Sequence, residues 1–319
     1  MIKARNLELN YGESKILDIK NLKIDTSKIT ALTGSNGSGK STLLRVVSFL
    51  QRPSRGEVEI WGYAKPNLEI LRRISILFPE PALLKRSVRE NFRFALKSRG
   101  LEREFNSRVG EALELTGLDE SFLSKRHFEL SSGQTQRTAF ALVLALRSRL
   151  YLLDEPTNSV DLATSKLFGK AVEFMRDQYK SGFIIASHDE KWLSAVAQES
   201  VFLHRGRISE FELKNVFNVQ NKALKFSENL ALALPENLAS ASKIAINPSG
   251  VKISLTPFDG CLEGVLHSVS LAYEGQILIK IKIGDFLIKC VRNLDEKQKF
   301  CTGERAFFEI PPSALLSLE

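Results

Sequence analysis

An α/β domain built around a phosphate-binding turn, followed by a small all-β domain, is the architecture that the sequence predicts. Three observations carry it. Over residues 1–225 short apolar runs alternate with helix-like stretches, the texture of a layered α/β domain. The stretch Gly34-Ser35-Asn36-Gly37-Ser38-Gly39-Lys40-Ser41 joins one of those runs to one of those helices. From residue 249 onward apolar residues recur with a period of two, and no helical pattern intervenes.

Taken in order, Ile29-Thr30-Ala31-Leu32 reads as a buried strand and Lys40 to Leu50 as a helix. Leu150 to Leu153 and Phe183 to Ala186 are two further buried strands, and Val201 to Ile208, with Arg205-Gly206 at its centre, is a hairpin. Residues 226–248, rich in Asn, Ala and Ser and carrying Pro235 and Pro248, are expected to connect two domains. Residues 249–319 then form the second domain: Val251, Ile253 and Leu255, and again Ile277, Ile279, Ile281 and Ile283, alternate as in a small barrel or sandwich. With 319 residues the chain has room for one large and one small domain.

Composition narrows the class. A hydrophobic content of 43% with 26% charged residues is that of a globular chain rather than a disordered or membrane-spanning one. The longest apolar run, Ala139 to Leu146, falls short of the roughly 20 residues needed to cross a bilayer. No secretory signal precedes the first strand, so the chain is expected to stay in the cytosol, with any membrane crossing left to a partner. Cys261, Cys290 and Cys301 lack the close spacing of a zinc site and are expected as free thiols. Of the net charge of +8, residues 1–245 carry +9 (37 Lys/Arg against 28 Asp/Glu) and the rest −1 (8 against 9); the excess is scattered over helices and includes no basic run interleaved with aromatics. Phosphate-bearing ligands and anionic lipid explain it without nucleic acid.

The glycine-rich stretch fits the pattern G-x-x-x-x-G-K-[ST] between a strand and a helix. Glycines allow successive N–H groups to turn inward on phosphate oxygens, and the helix that follows presents its positive end to them. Lys40 is placed to hold the β and γ phosphates and Ser41 to offer its hydroxyl to Mg²⁺. Downstream, the apolar strand Leu150-Tyr151-Leu152-Leu153 ends in Asp154-Glu155-Pro156. A carboxylate there suits Mg²⁺, which is the role expected of Asp154. The next carboxylate, Glu155, suits the polarising of a water that attacks the γ phosphate.

Leu130-Ser131-Ser132-Gly133-Gln134, followed by Gln136-Arg137 and a helical stretch, resembles the L-S-G-G-Q signature of the ABC-transporter ATPases, with Ser132 in place of the first glycine. The resemblance covers residues 1–225 and implies an ABC ATPase fold, ATP and Mg²⁺ as ligands, and hydrolysis of ATP. It also implies a homodimer in which Ser131, Gly133 and Gln134 of one subunit reach the γ phosphate held by the other. Nucleotide contacts then fall to Gly34, Ser35, Asn36, Gly37, Ser38, Gly39, Lys40, Ser41 and Thr42, with Tyr11 stacking on adenine and Ser41 and Asp154 on the metal. Glu155, His188 and Lys40 are the expected catalytic set. His188, in Ile185-Ala186-Ser187-His188-Asp189, matches the family's γ-phosphate histidine, and Asn158-Ser159-Val160-Asp161 matches its intersubunit loop. One position departs. In Ile76-Leu77-Phe78-Pro79-Glu80-Pro81 a proline stands where the family carries a glutamine that ligates Mg²⁺ or the attacking water. Either Glu80 or water substitutes there, or turnover is slower or differently coupled.

The β-rich end is similar to the OB-like barrel appended to the ATPases of binding-protein-dependent importers. Its marks are Gly264-Val265, Gly284, Gly303-Glu304 ahead of Ala306 to Ile310, and a closing Ser313-Ala314-Leu315-Leu316. Pro81 to Val88 resembles the corresponding loop of tungstate and molybdate importers more than that of sugar importers. The resemblance therefore implies an ATPase at the cytoplasmic face of the membrane, energising oxyanion import through separate permease subunits, with an extracytoplasmic substrate-binding protein as an indirect partner. Sulfate, iron, sugar or polyamine import, a soluble ABC ATPase, and an oxyanion-binding regulator are the alternatives.

Overall fold

Side chains of an extended chain point alternately to opposite faces, so Ile2 and Ala4 face the interior from the first strand, β1 (Ile2–Tyr11). Leu7 and Leu9 continue the face in the opposite parity, because an irregularity at Asn6, with φ 45°, shifts the register of the strand. β1 pairs antiparallel with β2 (Ser14–Ile24) on one side and, beyond β3 (Ile29–Thr33), with β4 (Arg55–Ile60) on the other. The computed structural model describes residues 1–209, 215–227, 230–271, 276–284 and 286–318, and the chain divides into two units, Met1–Ile208 and Ser209–Glu319.

The second sheet of the first unit is mainly parallel. α1 (Lys40–Val47) and α2 (Leu68–Leu71) precede β5 (Ile74–Leu77), and α3 (Val88–Ser98), α4 (Phe105–Thr116) and α5 (Ser132–Ala145) precede β6 (Leu150–Asp154). α6 (Leu162–Tyr179), β7 (Gly182–Ala186), α7 (Glu190–Val196), β8 (Glu199–His204) and β9 (Arg207–Ser209) complete it, in the order β5-β6-β7-β3-β8-β9. Every residue of β3, β6 and β7 is buried, as expected of strands covered on both faces. Their parallel pairing brings the carboxyl ends of β6, β7 and β3 out side by side at one edge. Open α/β sheets bind ligands at that edge. The β8–β9 hairpin turns on Arg205 and Gly206, both at positive φ (45° and 77°), as a two-residue loop of that twist requires.

The second unit is all-β. β10 (Val216–Asn218), β11 (Ala223–Ser227), β12 (Leu230–Ala233), β13 (Lys243–Ile246) and β14 (Lys252–Ser254) lead into β15 (Leu262–Leu271) and β16 (Gln276–Ile283). β17 (Phe286–Asn293), β18 (Arg305–Glu309) and β19 (Leu315–Ser317) follow. A five-stranded sheet, β14-β18-β15-β16-β17, curls so far that the Val291 N–H of edge strand β17 donates to Pro248 O at 3.0 Å, just ahead of edge strand β14. This is an OB-like all-β arrangement. Ile277, Ile279 and Ile281 are fully buried and Ile283 nearly so, as their alternation predicts, whereas Leu255 lies past the end of β14 and is exposed.

The stretch 226–248, expected as a connection, departs from that expectation. The boundary between the units falls at Ile208, and this span carries β12, β13 and the end of β11. Phe226, Ile244 and Ile246 are buried in the core of the second unit. Its Asn, Ser and Pro content marks the turns, while the apolar residues between them fill that core.

Candidate functional site

The turn after β3 is shaped by three glycines at positive φ, Gly34 (148°), Gly37 (75°) and Gly39 (102°). At Gly34 a side chain is excluded twice over, because a Cβ would lie 2.1 Å from Leu203 O and 2.7 Å from Ser38 Oγ. The Leu43 N–H donates to Gly39 O at 2.8 Å, so α1 starts at once and its first N–H groups, those of Lys40 to Thr42, face the turn. Lys40 is largely buried. Its ammonium donates to Gly34 O at 2.8 Å and Ser35 O at 3.2 Å, and among the described residues no carboxylate lies within ion-pair distance. Burial holds its pKa below the ordinary lysine value, while the nearby charges of Glu155 and Asp154 push the other way. Ser38 Oγ is buried with no hydrogen-bond partner. A basic cradle with inward N–H groups, a desolvated ammonium and an orphaned hydroxyl fits a polyphosphate.

Asp154 ends β6 and is buried. Burial raises its pKa above the ordinary aspartate value, and a hydrogen bond from the Ser41 side chain acts in the opposite sense. Ser41 and Asp154 together offer one hydroxyl and one carboxylate, and no group of three or more His, Cys, Asp or Glu occurs among the described residues. That donor set fits Mg²⁺, which takes one or two carboxylates, substrate phosphate oxygens and water rather than a full protein cage.

Glu155 follows with a left-handed backbone, φ 49°. Its N–H donates to Ala186 O at 2.8 Å, which fastens it to the end of β7. Its Oε2 lies 2.8 Å from His188 Nδ1 and accepts from the His188 N–H at 3.2 Å. The structure therefore gathers Gly34 to Thr42, Asp154, Glu155 and His188 at one sheet edge. Tyr11 stands at the end of β1, half exposed, with its hydroxyl donating to Gln51 Oε1 at 2.8 Å. The β1–β2 hairpin adjoins the glycine turn, since a Cβ on Gly39 would meet Leu17 and Ile16.

Ser131, Gly133 and Gln134 open the helix that follows the Ser131 loop. Ser131 caps α5 in a reciprocal pair: the Gln134 N–H donates to Ser131 Oγ at 3.3 Å, and the Ser131 N–H donates to Gln134 Oε1 at 3.1 Å. Among the described residues no hydrogen bond joins this loop to Gly34 to Ser41. Asp161 caps α6, accepting from the Thr164 N–H at 2.7 Å. Pro79 lies two residues beyond the Leu77–Leu153 pairing of β5 with β6, where it lines an open cavity of about 470 Å³ with Arg45, Phe78 and Glu80. Arg45 sits over the Phe78 ring at 5.9 Å and one turn after Ser41 on α1. Gln136 follows the Ser131 loop in the sequence, which assigns it no task. It is buried, and its amide donates to Pro156 O at 2.9 Å and to Glu155 O at 3.4 Å.

A phosphate cradle on a parallel sheet, with a buried aspartate and a histidine-linked glutamate beside it, defines a phosphate-loop ATPase. The chain belongs to the ABC transporter family, as its ATP-hydrolysing, ATP-binding component; the family profile matches residues 17–158. Among its relatives is a tungstate uptake system ATP-binding protein of Campylobacter jejuni, 40% identical and aligned over 97% of this chain and 96% of that protein. A protein of the same name from Peptoclostridium acidaminophilum is 37% identical over 66% of this chain and 97% of its own length. A solved dimeric ATP-binding cassette, in a post-hydrolysis state with ADP and Pi, superposes with a TM-score of 0.61 at 26% identity, covering 66% of this chain and 97% of that one.

Proposed function

We propose that this chain is the ATP-hydrolysing subunit of an oxyanion importer, with tungstate as the favoured substrate and molybdate next. The observation that carries the reading is the near-full-length similarity to the Campylobacter jejuni protein, which extends through the second unit as well as the ATPase unit. In this reading two copies close head to tail around two ATP molecules, at the cytoplasmic face of the membrane. Separate permease subunits span the bilayer, and an extracytoplasmic binding protein delivers the anion. The absence of any helix long and apolar enough to cross a membrane, among the described residues, is compatible with that division of labour.

Each site residue then has a task. Gly34 to Thr42 receive the phosphates, Lys40 neutralises the β and γ oxygens, and Tyr11 stacks on adenine. Ser41 and Asp154 would hold Mg²⁺, whose contribution is to neutralise charge building on the phosphate oxygens. Glu155 accepts the proton of the attacking water as its oxygen bonds to the γ phosphorus and the bond to the bridging oxygen breaks, releasing ADP. His188 orients Glu155 and faces the γ phosphate. Ser131, Gly133 and Gln134 serve the partner's nucleotide, a role compatible with their making no hydrogen bond, among the described residues, to the glycine turn of their own chain.

The test is reconstitution of the chain with its permease in vesicles, supplied with the binding protein loaded in turn with tungstate, molybdate and sulfate. ATP hydrolysis should rise most with tungstate. Equal stimulation by sulfate, or none by tungstate, would sink the substrate assignment while leaving the ATPase intact.

A further inference from the structure

Glu155 occupies a left-handed backbone conformation that a residue with a Cβ adopts only when its surroundings enforce it. Two neighbours do so here. On one side the Glu155 N–H is fastened to Ala186 O of β7 at 2.8 Å. On the other, the buried Gln136 amide reaches across from α5 to Pro156 O at 2.9 Å and Glu155 O at 3.4 Å. The first turn of α5 makes a second close approach to the same segment: a Cβ on Gly133 would lie 2.9 Å from Ser159 O. The helix thus grips the turn 155–159 at two points, and its first residues continue directly from Ser131.

We infer that Gln136 is a positioning residue for Glu155, aiming its carboxylate at His188 and linking the Ser131 loop to the base of the same chain. The inference rests on Glu155 being the general base and on the Ser131 loop serving the partner's nucleotide. A helix is stiff along its axis, and Gln136 lies little more than one turn from Ser131. When the partner's phosphates engage the Ser131 loop, the start of α5 settles in one place, and the Gln136 amide carries that placement to the turn that bears Glu155. Occupancy of one nucleotide site then sets the geometry of the base in the other. The amide donates to both carbonyls, whereas a carboxylate would repel them and an aliphatic chain would supply no donor.

Gln136→Met keeps the side-chain length and removes the donor. It should lower the single-turnover hydrolysis rate at least tenfold while ATP affinity stays within about twofold, because the glycine turn and Lys40 are untouched. In a Glu155→Gln background the same substitution should cost no more than about a further twofold, since its effect passes through Glu155. Equal losses in the two backgrounds, or a raised KM with an unchanged rate, overturn the inference. If Gln136→Met does not fold, Gln136→Asn is read instead: its amide is drawn back by one methylene, and it should show the same split between rate and affinity. Should Glu155→Gln alone leave hydrolysis unaffected, the reading of Glu155 as the base fails, and that outcome is distinct from full additivity of two damaging substitutions.

Discussion

His188 Nδ1 lies 2.8 Å from Glu155 Oε2, and the main-chain N–H of His188 donates to the same oxygen at 3.2 Å. One carboxylate oxygen thereby meets both the ring nitrogen and the main-chain N–H of a residue two positions past β7. His188 is itself 73% exposed at the side chain, open to whatever closes over the sheet edge. Glu155→Gln should keep ATP binding but slow hydrolysis by roughly 10² to 10⁴, because an amide orients water without accepting its proton. His188→Ala removes the ring and keeps the main-chain donor, so its loss should be smaller. With ATP the Glu155→Gln protein should accumulate as a dimer, and elution from gel filtration as an ATP-loaded monomer would count against the two-site sandwich.

Among the described residues no hydrogen bond joins Ser131 to the Lys40 turn of its own chain, and the proposed action in trans leads to a mixing experiment. Lys40→Ala should abolish nucleotide affinity, whereas Ser131→Arg should leave it intact and obstruct the opposite site. A dimer of one copy of each has one nucleotide site carrying both lesions and one carrying neither. Turnover should therefore reappear on mixing two inactive proteins, up to about half the wild-type rate per dimer if the intact site works alone. No recovery at any ratio would count against action in trans unless the intact site also needs its own chain's Ser131 loop engaged, which an unmutated copy mixed with Lys40→Ala alone would reveal.

Pro79 lies beside Arg45, Phe78 and Glu80 at the end of β5, next to the strand that ends in Asp154. Proline has no N–H and a fixed φ, so it supplies no ligand and stiffens the loop. Pro79→Gln should change ATP affinity little and raise basal hydrolysis, each tenfold corresponding to about 1.4 kcal/mol of barrier. If Glu80 has taken over the task, Glu80→Ala will be far more damaging than Pro79→Gln is helpful. Unchanged rates in both would leave the loop no part in ligation.

Burial moves the two charged groups of the cradle in opposite directions, and each gives a pH signature. In the proposed function protonated Lys40 binds phosphate, and its pKa is lowered, so kcat/KM should fall on the alkaline side before an ordinary lysine, at 10.5, would deprotonate. In the same proposal ionised Asp154 binds the cation, and its pKa is raised, so the acid limb should lie above the ordinary aspartate value of 3.8. Stability moves the opposite way: the ligand-free protein loses the Asp154 contribution as pH rises from the ordinary aspartate value through the raised pKa. Asp154→Asn should not show that loss in thermal melts across the same window. An acid limb of kcat/KM at 3.8 would remove burial as the cause.

The chemistry proposed for this protein was legible wherever it is written in a contiguous segment. Gly34 to Ser41, Asp154-Glu155 and Ser131 to Gln134 each combine a local backbone shape with side chains suited to the task proposed for them. The alternation at Ile277 to Ile283 states directly which face is buried. Apolar periodicity is a local signal, and it carries that information without reference to the rest of the chain. Pairing is not local. Hydrogen bonds between strands decided that β6, β7 and β3 stand side by side, which is what brings Asp154, Glu155, His188 and Lys40 to one edge. They also made strands of Ala223–Ser227, Leu230–Ala233 and Lys243–Ile246, in a proline-marked stretch, around Phe226 and Ile244. Gln136 could be singled out only once α5 was packed against the turn after β6, because a buried amide takes its meaning from the carbonyls it meets, and those lie 19 and 20 residues further along the chain.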